Sequence, residues 1–121
     1  MTGRPQALRH ALHRPRFPPG RLAAFFTESS FADVAASIQL WASERGGDGV
    51  TLESVAAVGR CLPTRHEAHV VRNAGHFAFL IPCRQALAKA VPEICIDPPE
   101  FDRRAFHKRF NADVLAFSRR T

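Results

Sequence analysis

No stretch of 18 apolar residues occurs among the 121 of this chain, so the sequence predicts no membrane-spanning helix and no membrane partner. Met1 to Gly20 has no apolar h-region, which excludes the secretory-signal pattern. In the absence of other addresses the cytoplasm is the default location. No internal repeat is present. No acidic residue precedes Glu28, whereas Arg4, Arg9, Arg14, Arg16 and Arg21 all do. That stretch supplies +5 of the formal net charge of +6, and the remainder sums to +1. A nucleic-acid-binding domain more often carries its cations as a stripe on the folded body, so the charge distribution argues against nucleic acid as a partner. An Arg-rich, acid-free start also resembles a transit peptide. The simpler reading of residues 1–30 is a disordered, solvated Arg/Pro-rich segment. Three cysteines, an odd number, exclude a complete disulfide framework. Read alone they are expected to be buried free thiols, with a Cys83–Cys95 bridge across a short loop as the alternative.

What is present is one domain's worth of packed sequence, residues 31–121. Ser37 to Ala42 alternates as a strand, with Ile38 and Leu40 on one face and Gln39 and Trp41 on the other. Gly46-Gly47-Asp48-Gly49 marks a loop. Thr51 is placed to cap a helix running to about Arg60, with Leu52, Val55 and Val58 as its apolar stripe. Glu67 to Arg72 reads as a second strand. Strand, helix, strand in this order predicts a crossover with two parallel strands, an α/β arrangement. A short helix is expected from Pro82 to about Ala90, then a loop from Pro92 to Pro99. Asp102 is placed to cap a last helix, on which Phe106, Phe110, Val114 and Phe117 recur at helical spacing. Arg103, Arg104, Lys108 and Arg109 are expected to form its solvated face.

The residue with the strongest chemical signal is His76. It follows Gly75 just beyond the second strand, in Asn73-Ala74-Gly75-His76-Phe77-Ala78-Phe79-Leu80. A Gly-His step at a strand end presents an imidazole as a general base. A base needs an orienting acid. Asp48 lies beyond the first strand, and Glu44 competes for the role by lying nearer to it. Both strand ends would fall on the carboxyl edge, where open α/β sheets place their sites. The nucleophile is what this chain lacks. No G-x-S-x-G elbow occurs, Ser29-Ser30 has no flanking glycines, Ser54 is inside a helix, and neither Cys61 nor Cys83 has an elbow's setting. His66-Glu67-Ala68-His69 falls one residue short of the zincin pattern and reads as strand, where histidines three apart face opposite ways. No metal site and no cofactor are expected.

Four segments together resemble the C-terminal end of the dienelactone hydrolase-like proteins of bacteria, in the α/β-hydrolase superfamily. They are Ile38 to Asp48, Asn73 to Cys83, Pro92 to Asp97 and Phe101 to His107, within a region spanning roughly residues 31–118. The resemblance implies a mostly parallel eight-stranded sheet of which this chain holds the last two strands, the crossover helix and the C-terminal helix. It implies hydrolysis of a small-molecule ester or lactone through an acyl-enzyme, with His76 as triad base, Asp48 (alternatively Glu44) as acid, and no cofactor. It implies a disulfide between Cys83 and Cys95 and a parent family that can be exported. The nucleophile elbow is missing, so the chain is expected to be a truncated form, inactive alone. Completion by a separate N-terminal half and a basic non-catalytic interaction module are the alternatives.

Overall fold

The computed structural model describes residues 26–121. Residues 1–25, where most of the expected disordered segment falls, lie outside the described part. A 3₁₀ turn, Glu28–Phe31, spans the expected boundary at residue 30. Thr27 and Ser30 close it by exchanging side-chain and backbone hydrogen bonds.

The centre of the fold is a crossover. Strand β1 (Ile38–Ser43) and strand β2 (His66–Val71) pair in parallel, with Ile38 opposite His66 and Ser43 opposite Val71. Each lies one residue from its expected bounds. Helix α1 (Leu52–Cys61) connects them. Its start is fixed by a reciprocal cap. The Thr51 hydroxyl accepts from the Ser54 amide, and the Ser54 hydroxyl accepts from the Thr51 amide. The architecture is therefore mixed α/β, as the periodicity predicts.

Beyond β2 the chain forms a 3₁₀ turn (His76–Phe79), helix α2 (Gln85–Ala90), a one-turn helix α3 (Pro92–Cys95) and the long helix α4 (Arg103–Arg120). Three expectations are corrected here. The α2 helix starts at Gln85, three residues after Pro82. The predicted loop from Pro92 contains a helical turn, because Pro is well suited to the first helical position, where no amide partner is needed. The cysteines do not all stay free, since Cys83 and Cys95 form a disulfide with their Cα atoms 5.7 Å apart. Cys61 is free. The bridge the resemblance implied is thus present.

The main core lies on one face of the sheet. Val71, Ala74, Ala78 and Phe106 are buried there, with Trp41, Phe79, Phe101 and Phe110 packed around them. Asp102 caps α4 by accepting from the Ala105 amide, as expected. The predicted apolar stripe of α4 holds at Phe106 and Phe110, and fades at Val114, which is exposed.

A fourth correction concerns Arg103. Placed on the solvated face by its neighbours in sequence, it is 6% exposed. Its guanidinium grips Asp97 in a two-pronged ion pair at 2.8 and 2.9 Å and donates to the Ile94 carbonyl at 2.9 Å. The first turn of α4 is thereby fastened to the segment that follows α3, and a planar fork is well matched to a carboxylate.

Candidate active site

Both strands end at the same edge, and the two loops that leave them are joined by backbone hydrogen bonds. The Glu44 amide donates to the Val71 carbonyl, and the Arg45 amide donates to the Ala74 carbonyl. The His76 amide then donates to the Gly46 carbonyl at 2.8 Å, so that Gly46 and Gly75 continue the parallel pairing past the strands. The Gly-His turn and the acid-bearing loop are one unit.

The glycines are required by this close approach. Gly46 has φ +62°, and a Cβ there would meet the Val50 carbonyl oxygen at 2.5 Å. Gly47 has φ +135°, and a Cβ there would lie 3.5 Å from the Cβ of His76. The loop therefore passes directly beside the histidine. Asp48, next in sequence, is exposed and itself left-handed, with φ 49°.

His76 is half-buried and opens the 3₁₀ turn. Asp48 is brought to the same loop cluster. Glu44 is close as well, but its carboxylate accepts from the Asn73 amide at 2.8 Å, which holds the tight turn where Asn73 adopts φ 61°. Glu44 thus serves the backbone of the β2 exit, while Asp48 accepts no hydrogen bond from the described residues. Neither carboxylate is hydrogen-bonded to the imidazole among those residues. The geometry sets the loop that carries Asp48 against the turn that carries His76, and among the described residues no serine or cysteine side chain is hydrogen-bonded to the imidazole.

One supporting residue was not visible in the sequence. His107 reaches back from α4 so that its Nε2–H donates to the Ala78 carbonyl at 2.8 Å, within the turn that begins at His76. Arg103 and His107 are four residues apart and so share a face of α4. Together they hold both ends of the segment running from His76 to Asp97.

His66 and His69 take opposite faces of β2. His66 Nε2 would lie 2.9 Å from a Cβ at Gly59 of α1. His69 stacks on Trp41 on the other face, with ring centroids 4.2 Å apart, and contacts Glu67 at 3.3 Å. Among the described residues no three His, Cys, Asp or Glu side chains converge on one point.

Comparison with protein-family models, with curated proteins and with solved structures finds no match for this chain.

Proposed function

We propose that this chain is the C-terminal part of an α/β-hydrolase of the dienelactone hydrolase-like kind. In this reading it supplies the base and acid of a nucleophile–His–acid triad that acts on an ester or lactone. The observation that carries the reading is the 2.8 Å hydrogen bond from the His76 amide to the Gly46 carbonyl. It sets a Gly-His turn against an acid-bearing loop at the carboxyl ends of neighbouring parallel strands, where such sites are built.

His76 would accept the proton of a nucleophilic hydroxyl or thiol as that group attacks the carbonyl carbon. It would return the proton to the leaving alkoxide, and then activate water to release the acyl group. Asp48 would orient the imidazole and stabilise its cationic form. Glu44 is the weaker candidate, since its carboxylate already holds the Asn73 amide. The nucleophile and oxyanion donors would come from a complementing N-terminal half, and the chain alone would not turn over.

The reading is tested by mixing the chain with an N-terminal hydrolase segment that carries a nucleophile elbow, and following p-nitrophenyl ester hydrolysis. Recovered activity should vanish on His76→Ala and fall on the order of 10³- to 10⁴-fold on Asp48→Asn. Glu44→Gln should change it only a few-fold. Recovered activity that is indifferent to His76→Ala would sink the proposal.

A further inference from the structure

We infer that the outer edge of β2 is a homodimer interface, at which β2 pairs antiparallel with β2 of a second copy across a two-fold axis at Ala68. The inference goes beyond the hydrolase reading and does not depend on it.

The edge is open in three respects. Among the described residues β2 pairs with β1 alone. The strand reads His66-Glu67-Ala68-His69-Val70-Val71, with none of the proline or lysine that blunts many free edges. And a groove lies unfilled on each side of it. One groove, of about 480 Å³, runs between β2 and α4 past Trp41, Phe106 and Phe110. The other, of about 300 Å³, runs between β2 and α1 past Leu40, Leu52 and Val55. Val70 lines both and is 55% exposed. The uncovered surface is therefore continuous around this edge.

The register follows from backbone direction. The Val71 carbonyl accepts from the Glu44 amide, so it points toward β1. Backbone groups alternate along a strand, so Glu67 and His69 also point inward, while those of His66, Ala68 and Val70 point outward. An antiparallel partner must use these three. Placing the axis at Ala68 sets Ala68 opposite Ala68 of the second copy, and His66 opposite Val70, so all three outward positions are paired.

Charge selects this register over its neighbour. With the axis at Ala68, Glu67 stands directly across from His69 of the second copy, twice over by symmetry. Moving the axis to Glu67 would instead set Glu67 against Glu67. Two carboxylates directly across a strand pair repel, whereas a carboxylate and an imidazole can share a hydrogen bond. The axis itself carries a small side chain, which allows close approach. The self-complementary patch is what a two-fold interface requires. Pairing also converts two strands, a marginal sheet, into four with the order β1-β2-β2-β1.

The test uses the full chain. Analytical ultracentrifugation should show a concentration-dependent monomer–dimer equilibrium. Ala68→Lys sets two cations together on the axis at an exposed position, and should raise the dissociation constant about tenfold or more, with an unchanged circular dichroism spectrum. Register is read by cysteine pairing in a Cys61→Ser background. Ala68→Cys brings two thiol-bearing residues about 5.5 Å apart at their Cα atoms, within disulfide reach. Val70→Cys leaves its two copies about 14 Å apart. Cross-linking of the first under mild oxidation, and not of the second, is expected. A chain that stays monomeric, an assembly larger than two, a dimer indifferent to Ala68→Lys, or cross-linking through Val70→Cys in place of Ala68→Cys would each overturn the proposal.

Discussion

The two faces of the β1–β2 sheet are built differently. The face under α4 is aromatic and interlocked. Phe106 touches the rings of Trp41, Phe79, Phe101 and Phe110, with centroids 5.2 to 6.2 Å apart. The face under α1 is aliphatic and half-covered, and its groove beside Val70 remains open. The aromatic face also carries the tethers of the candidate site, because α4 holds the His76 turn through His107. Packing and the tether of the His76 turn therefore fall on the same face.

The largest expected effect breaks the aromatic face at its anchor. Arg103→Ala would leave the half-buried Asp97 without its partner and should cost about 3 kcal/mol in chemical denaturation. For a domain of this size that approaches the whole stability. The double variant Arg103→Met/Asp97→Leu should recover most of the loss, since no charge is then left unpaired. If the double variant is no better than the single one, the pair is not the anchor described here.

Phe106→Ala attacks the same face through packing. Phe106 is 2% exposed, and emptying its site should cost about 3–4 kcal/mol. A loss below about 1 kcal/mol would mean that the aromatic cluster closes over the gap, and would erase the contrast between the faces.

The reach of the sequence follows the same division. Local signals were legible because local chemistry sets them. Thr51 and Asp102 announce the caps of α1 and α4, and the alternation from Ile38 to Ala42 announces β1. That the loops carrying His76 and Asp48 leave the sheet at one edge was legible too, because strand–helix–strand order brings them there. Arg103 was not, since its neighbours Arg104, Lys108 and Arg109 make a charge run that reads as solvated. Only the fold brings Asp97 and the Ile94 carbonyl to it. Likewise, the helical turn Pro92–Cys95 is four residues long, too short for periodicity to register.

On the face under α1 a smaller truncation should matter less. Val55→Ala removes two methyl groups from a half-buried position beside the groove. A cost of about 1 kcal/mol or less is expected, because much of the side chain already meets water. The measurement is the denaturation midpoint at a concentration where the chain is monomeric. A loss equal to that of Phe106→Ala would show that the two faces are equally closed.

The smallest effect probes the polar rim of the aromatic face. Glu67 accepts from the Gln39 amide, contacts His69 and pairs with Arg120. These partners, Gln39 foremost, hold its carboxyl below the ordinary value of 4.5. A carboxylate lowered in the folded state stabilises the fold where it is ionised. Its contribution is thus complete above pH 4.5 and is lost as the pH falls through the lowered folded value. Glu67→Gln should therefore reduce stability slightly and evenly at neutral pH, and the gap to the parent chain should close under acid. Salt should narrow the gap as well, because the pair lies in solvent. A gap that widens on acidification would mean that Glu67 acts through its protonated form, and would remove it from the network that ties the end of α4 to β2.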